Sequence, residues 1–152
     1  MAVFYSFHYD NDSWRVQQIR NIGVVDNTDS VGAQEWEKVR YKTDEAIKNW
    51  IDNQMKYKRA VVVLIGSETA SRNWVQYEIE RAWELRKPLL GIKIHGLKDE
   101  NGNTSKEGQD PFLEKRYWPI PIFTPQGWDS KEKYNDIKQN LSKWIEQGYT
   151  RP

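Results

Sequence analysis

The apolar residues of the chain fall into two patterns, short continuous runs and stripes at helical spacing. The longest continuous run is AVVVLI, residues 60 to 65. Such a run, rich in β-branched residues, is typical of a strand that is covered on both faces, as in a parallel sheet. On either side of it, residues 43 to 55 and 71 to 86 carry apolar residues three and four positions apart. This spacing predicts an amphipathic helix in each of the two segments.

The same two patterns recur along the rest of the chain and complete a set of alternating elements. The predicted strands are residues 2–7, 59–65, 88–95 and 119–123, and the predicted helices are residues 14–22, 43–55, 71–86 and a last helix from Ser130 to a cap at Gly148. We expect Asp12 or Ser13 to be the N-cap of the first helix. Residues 23–35 predict a loop with a short strand at Gly23 to Val25, and residues 96–117 predict a second polar loop.

Strands that alternate with helices indicate an α/β fold. We therefore expect a doubly wound, mainly parallel central sheet with helices on both faces. The length of 152 residues is close to the common size of one domain, so a single domain over residues 1–152 is predicted. The prolines of PIPIF, residues 119–123, favour an edge position for the last strand.

Two polar turns follow predicted strands, one at Ser6 to Asp10 and one at Gly66 to Arg72. In doubly wound sheets the carboxyl ends of the strands form the edge at which ligands bind. Glu78 follows the second turn by one to two helical turns, and helical side chains lean toward the N-terminus of their helix. The Glu78 carboxylate is therefore placed to face the same edge, although an exposed helix position is the common alternative for a glutamate.

Charge and composition exclude several kinds of function. Lys and Arg number 23 and Asp and Glu 22, so the formal net charge of +1 gives no basic excess of the kind that marks nucleic-acid binding. With no cysteine and two histidines the chain lacks the ligands of a typical zinc site; a carboxylate-bound metal stays open, and we predict no metal. Eight tryptophans and eight tyrosines predict an aromatic core and provide rings for a planar ligand.

The N-terminus, MAVFYSFHYD, lacks the charged region and long apolar run of a signal peptide. The run at residues 60–65 is far too short to cross a bilayer. We therefore expect a cytoplasmic protein without membrane contact.

Two stretches of the sequence resemble conserved boxes of the Toll/interleukin-1 receptor (TIR) domain family. FYSFHYDND resembles the first-strand box, and VVVLIGSETASRNWVQYEIERA resembles the box that runs from the third strand into the following helix. More narrowly, FxSFHY, LIGSxT, RxWVxYEI and GIxI together resemble the TIR-like proteins of the bacterial Thoeris antiphage system, over roughly residues 3–95. Residues 23–42, where many TIR domains carry an assembly loop, contain no clear second strand and no recognisable loop motif.

The resemblance implies a flavodoxin-like TIR fold and an enzyme that cleaves the bond between nicotinamide and ribose in NAD+. Such an enzyme is an NAD+ glycohydrolase or ADP-ribosyl cyclase, which takes NAD+ as its substrate and needs no cofactor. Glu78 stands at the position of the family's essential glutamate. The family also implies a role in antiphage defence: a phage component triggers the enzyme, and an ADP-ribose-derived product, usually a cyclic isomer, activates a separate effector protein. Assembly into a homo-oligomer is compatible with the family.

The implied reaction defines what the neighbouring residues should do. Its transition state resembles a ribosyl oxocarbenium ion, which one carboxylate can stabilise or trap covalently. A cyclase must also exclude water, so that a group of the same molecule attacks instead. The candidate residues are Glu78 as the catalytic carboxylate and Ser6, Phe7, His8, Ser67 and Trp74 as substrate-binding groups.

Most of these candidates also have an ordinary structural role open to them. A tryptophan such as Trp74 is more often part of the core than a stacking platform. Ser6 and Ser67 can cap turns, which is the common role of serine in such places. His8 can be a plain surface histidine.

Two other functions also fit the chain. It could be a non-catalytic interaction (adaptor) module, which would use an aromatic surface to recruit partners but has no need for a carboxylate at Glu78. It could also be a base-exchange or nucleoside-transferring enzyme, which unlike a dinucleotide enzyme needs no donors for a pyrophosphate. Arg15, Arg40 and Arg72 are candidates for such donors.

Other nucleotide-binding or signalling α/β proteins are excluded by missing residues. The strand that ends in LIGS lacks the phosphoacceptor aspartate of a response-regulator receiver. The chain also lacks G-x-x-x-x-G-K and G-x-G-x-x-G, so neither a P-loop nor a Rossmann-type redox site is predicted.

Overall fold

The computed structural model describes residues 2–23, 39–113 and 119–152. Its four strands are β1 (Val3–Ser6), β2 (Ala60–Ile65), β3 (Leu89–Lys93) and β4 (Ile122–Phe123), and its α-helices are α1 (Tyr9–Asn21), α2 (Asp44–Met55), α3 (Asn73–Glu84) and α4 (Ser130–Glu146). A 3₁₀ turn, Thr69–Ser71, precedes α3. The predicted strand at Gly23 to Val25 falls mostly outside the described residues.

The described strands form one parallel sheet in the order β1-β2-β3-β4. Residues of β1 and β2 are wholly buried, which explains why AVVVLI is continuous rather than alternating. Because the strands are parallel, the residues that follow each strand lie at one edge of the sheet. The last residue of β1, Ser6, is in register with Val63 of β2.

Helices cover both faces of this sheet. On one face, Val16 and Ile19 of α1 and Ile137 and Leu141 of α4 pack against alternate strand residues. On the other face, α2 and α3 pack against the remaining strand residues through two further buried clusters. The prediction of a doubly wound, mainly parallel α/β fold is thus confirmed.

The middle of the chain folds as its pattern predicts. Helix α2 starts after Thr43, whose hydroxyl accepts a hydrogen bond from the Ala46 amide at 3.2 Å. Its buried residues, Ile47, Ile51 and Met55, are spaced by one helical turn each.

The first helix, by contrast, begins five residues earlier than predicted. The His8 side chain caps it, because its Nδ1 accepts a hydrogen bond from the Asn11 amide at 3.0 Å. The predicted caps, Asp12 and Ser13, therefore lie inside the helix. Asp10 and Asp12 occupy its first turn, where negative charge is favourable near the positive end of the helix dipole.

The remaining segments are short or irregular. Strand β4 is two residues long and pairs with β3, which agrees with the edge position that its neighbouring prolines predict.

Among the residues that the structure describes, no helix is long and apolar enough to cross a membrane.

Candidate active site

Glu78 lies on the buried face of α3. The buried residues of this helix are Val75, Glu78, Ile79 and Ala82, at the spacing i, i+3, i+4 and i+7. Glu78 therefore occupies a position in the apolar stripe and is only 8% exposed. The interpretation of Glu78 as an exposed helix residue is wrong, because the helix turns this carboxylate toward the sheet.

The carboxylate is held by Ser6, at the carboxyl end of β1. The Ser6 hydroxyl donates a hydrogen bond to Glu78 Oε1 at 2.7 Å, and the Ser6 side chain is completely buried. Burial raises the pKa of Glu78 from 4.5 to about 8, while the hydrogen bond from Ser6 acts in the opposite direction. Glu78 therefore holds a proton to higher pH than an ordinary glutamate does.

A cavity of about 230 Å³ opens beside Glu78. Its aromatic wall includes Phe7, Tyr9, Trp50 and Trp74. Phe7 and Trp74 also pack on the hydrophobic clusters of opposite faces of the sheet, so their rings are supported from behind. The arrangement suits a flat ring bound next to a carboxyl group.

Two arginines line the same cavity. Arg40 forms an ion pair with Asp10 at 3.1 Å and lies over the Tyr9 ring at 5.2 Å. Arg72 is exposed at the start of α3, and no carboxylate among the described residues forms an ion pair with it. The cavity therefore has one cation held by a neighbouring carboxylate and a second that can turn toward an anionic ligand.

His8 lines the cavity and is 6% exposed, so it is not a plain surface histidine. Because its Nδ1 accepts the capping hydrogen bond, the neutral ring carries its proton on Nε2. His8 thus combines a structural role at the start of α1 with a donor for a ligand.

The structure brings together most of the residues that the sequence singled out. Phe7, His8, Trp74 and Glu78 line one cavity, and Ser6 contacts Glu78 from behind it. Ser67 is absent from the lining, and its carbonyl oxygen lies close to Gly108.

Trp50 lines the cavity, although the sequence pattern singles it out only as part of a helix stripe. Trp50 belongs to the predicted apolar stripe of α2, and it both packs against the core and reaches the cavity. The helical period indicates only that such a residue faces inward, whereas the position of the cavity depends on tertiary packing.

A second buried carboxylate, Asp12, lies outside this cavity. Asp12 is 2% exposed and forms an ion pair with Arg15 at 2.8 Å. The Arg15 guanidinium also donates hydrogen bonds to the carbonyls of Leu97 and Asn103, at 2.8 and 3.0 Å. Arg15 therefore ties α1 to the loop after β3 and is not placed to bind a pyrophosphate.

A family model and a curated protein are similar to this chain. The family model "Thoeris protein ThsB, TIR-like domain" matches residues 4–99, a range that contains every residue lining the cavity. A curated protein of Bacillus cereus (strain MSX-D12), named "Putative cyclic ADP-D-ribose synthase ThsB1", is 38% identical over 115 residues, which cover 72% of this chain and 60% of that protein. The chain thus spans about three fifths of the length of this curated relative. With more than half of its residues matched by the family model, the chain belongs to the TIR-like domain family of the Thoeris protein ThsB.

Proposed function

We propose that the protein cleaves NAD+ at the bond between nicotinamide and ribose, with Glu78 as the catalytic carboxylate. The observation that carries this proposal is a buried carboxylate, held by Ser6, beside a cavity with an aromatic wall. The name of the Bacillus cereus relative, a cyclic ADP-D-ribose synthase, supports the same chemistry.

The reaction needs one well-placed anion. The bond from ribose C1′ to the pyridinium nitrogen breaks, and its electron pair leaves with neutral nicotinamide. The positive charge that remains is shared by C1′ and the ribose ring oxygen, and ionised Glu78 stabilises it. The pyridinium charge of bound NAD+ favours the ionised form of Glu78, because an opposite charge nearby lowers the pKa of a carboxyl group.

The group that attacks C1′ after nicotinamide has left determines which product forms. A hydroxyl or ring nitrogen of the same ADP-ribosyl unit bonds to C1′ and gives a cyclic isomer, and an attacking hydroxyl gives its proton to the Glu78 carboxylate. Water at the same position would give linear ADP-ribose instead. The aromatic wall of Phe7, Tyr9, Trp50 and Trp74 limits water at the reacting carbon, which favours the cyclic product.

We infer which part of NAD+ binds in the cavity from its size. Its volume of about 230 Å³ is below the ≈ 300–1,000 Å³ of pockets that enclose a drug-sized ligand. The nicotinamide riboside end fits beside Glu78, and the pyrophosphate then reaches Arg72 at the start of α3. Arg40 already forms an ion pair with Asp10, so its positive charge attracts the pyrophosphate less strongly.

In the cell, we propose that the product is a signal of antiphage defence. A phage component triggers the enzyme, and the ADP-ribose derivative activates a separate effector protein. Membership of the Thoeris family supports this role.

The proposal is tested in phage-infected cells that express wild type, Glu78→Gln or Glu80→Gln. Glu80 is the matched control, because it lies two residues further on α3 and is exposed. NAD+ and ADP-ribose-containing metabolites are followed by mass spectrometry, and folding is checked by thermal unfolding of the purified variants. We expect wild type and Glu80→Gln to make a new ADP-ribose derivative, and Glu78→Gln to make about 10²-fold less or none.

One result would contradict the catalytic proposal. If all three proteins support defence while no nucleotide product appears in any of them, the catalytic proposal is wrong. The adaptor alternative would then explain the protein.

A further inference from the structure

Glu78 is buried, and no cation among the described residues pairs with it. Its hydrogen-bond partner among the described residues is the Ser6 hydroxyl, at 2.7 Å, and it forms no ion pair with any of them. Most buried carboxylates are paired with a positive charge, because burial of an unpaired charge is costly. A single neutral donor is therefore the protein's own means of stabilising the charged form of Glu78.

Among the described residues, the other polar groups that line the cavity form no hydrogen bond or ion pair with Glu78. From the segment after β1 come His8, whose Nδ1 caps α1, and Asp10, which pairs with Arg40. From the start of α3 comes Arg72, at the exposed rim. Tyr5 of β1 also lines the cavity, but its buried hydroxyl has no hydrogen-bond partner among the described residues and so forms no hydrogen bond with the Glu78 carboxyl group.

Ser6 itself is out of reach of a ligand. Its side chain is 0% exposed and is absent from the cavity lining. Its position is fixed by the parallel pairing of β1 with β2, where it stands opposite Val63. Ser6 and Glu78 are 72 residues apart in the chain, so their contact depends on the packing of α3 against the end of β1.

We infer that Ser6 is a positioning residue for the proposed reaction, which orients the Glu78 carboxyl group and stabilises its ionised form without contacting NAD+. This replaces the sequence-based prediction that Ser6 binds substrate directly. The inference rests on the proposed function for its catalytic consequence, whereas the effect on the ionisation of Glu78 holds with or without catalysis.

The consequence follows from the direction of the hydrogen bond. The Ser6 hydroxyl donates to Glu78, which favours the carboxylate over the carboxylic acid. Removal of the hydroxyl should raise the pKa of Glu78 further. Because a hydrogen bond to a charged group changes an ionisation equilibrium by roughly ten- to a hundredfold, the expected rise is about one to two pH units.

The test compares Ser6→Ala with Ser130→Ala. Both serines are buried, and Ser130 also makes one hydrogen bond with its hydroxyl, accepting from the Lys98 amide at 2.8 Å, outside the cavity. A third variant, Ser6→Cys, keeps the approximate size of the side chain and a weak donor. The ionisation of Glu78 is measured by carbon-13 NMR of labelled glutamate carboxyl groups, and the Glu78 signal is identified by its absence in Glu78→Gln.

We expect the Glu78 titration to move up by at least about one pH unit in Ser6→Ala, to move less in Ser6→Cys and to stay in place in Ser130→Ala. With NAD+ turnover, kcat/KM of Ser6→Ala near neutral pH should fall about tenfold for each pH unit by which the Glu78 titration moves, because kcat/KM follows the ionisation of the free enzyme. The acidic limb of the kcat/KM profile should move up by the same amount.

Two results would overturn the inference. One is a Glu78 titration that stays unchanged in folded Ser6→Ala and Ser6→Cys. The other is a rise in KM with an unchanged kcat and pH profile, which would mean that Ser6 contacts substrate. If the titration moves as expected while wild type makes no nucleotide product in infected cells, the pairing stands and the NAD+ proposal alone is wrong.

Discussion

Two buried carboxylates on different helices have opposite surroundings. Asp12 on α1 is 2% exposed and pairs with the Arg15 guanidinium at 2.8 Å. Glu78 on α3 is 8% exposed and receives one hydrogen bond from the neutral Ser6 hydroxyl. Both carboxyl groups have a raised pKa, and in both the main cause is burial. The difference between them is that, among the described residues, Asp12 forms an ion pair with a cation and Glu78 does not.

This difference separates the structural carboxylate of Asp12 from the carboxylate of Glu78, which we propose to be catalytic. The charge of Asp12 is neutralised inside the protein, and its partner Arg15 uses its other donors on the carbonyls of Leu97 and Asn103. Glu78 has no such partner among the described residues, and it faces a cavity where a cationic ligand can supply the missing charge. A buried carboxylate that the protein leaves without a cation is a better marker of a reaction site than burial alone.

The largest effect that this comparison predicts is the loss of stability in Arg15→Met. The change leaves Asp12 buried without its cation and removes the donors to two carbonyl groups, so the free energy of unfolding should fall by about 3–5 kcal/mol. Urea unfolding at neutral pH measures the difference. At lower pH the loss should be smaller, because an unpaired Asp12 can then take up a proton.

The control for this prediction is the double variant Asp12→Asn with Arg15→Met. It removes the uncompensated charge as well as the cation, so part of the lost stability should return. A double variant that is as unstable as Arg15→Met would show that the lost carbonyl hydrogen bonds, and not the charge of Asp12, dominate.

A smaller effect is predicted for the pH dependence of stability in Glu78→Gln. The pKa of Glu78 is about 8 in the folded protein, against 4.5 for an ordinary glutamate. Between these values the folded state holds a proton that the unfolded state has released, so wild type should lose stability as pH rises. Glu78→Gln has no such titration, and its stability relative to wild type should rise by about 3–4 kcal/mol from roughly pH 5 to 8.

Urea unfolding at several pH values measures this relative change, with Glu80→Gln as the exposed control on the same helix. The difference between wild type and Glu80→Gln gives the effect of removing a carboxylate from the exposed side of the same helix. If the Glu78→Gln curve runs parallel to that of wild type, Glu78 is not the uncompensated buried acid that the comparison requires.

The sequence predicts the inward direction of Glu78 but not its hydrogen-bond partner. The stripe of Val75, Ile79 and Ala82 includes position 78, so the inward direction of Glu78 follows from helical spacing. The contact between Glu78 and Ser6 does not, because it depends on how α3 packs across the end of β1. Helical period predicts a face, whereas the partner on that face is set by tertiary packing.

The error at α1 has a local cause of a different kind. HYDNDS is rich in aspartate and asparagine, which favour polar turns, and so the sequence predicts a turn there. In the structure His8 is the cap, and the same acidic residues stabilise the first turn of the helix. The choice between turn and helix start depends on whether a cap side chain reaches the free amide groups, here that of Asn11.

The smallest predicted effect concerns two arginines that extend the comparison from anions to cations. Arg15 is 4% exposed and occupied by Asp12, whereas Arg72 is exposed at the cavity and has no ion pair among the described residues. Arg72→Met should therefore leave stability almost unchanged but remove a donor to the pyrophosphate of NAD+. We expect KM for NAD+ to rise about tenfold, equivalent to about 1.4 kcal/mol, with kcat nearly constant.

The choice of substrate makes this last prediction specific. Nicotinamide riboside carries the same scissile bond without a pyrophosphate, so Arg72→Met should change its cleavage little. Arg59→Met, at an exposed position next to β2 and outside the cavity lining, is the matched control and should behave as wild type with both substrates. The effect on NAD+ should also shrink at high salt, because exposed charges are screened. Equal losses with both substrates would instead mean that Arg72 supports the shape of the cavity, since a contact to the pyrophosphate is available only in NAD+.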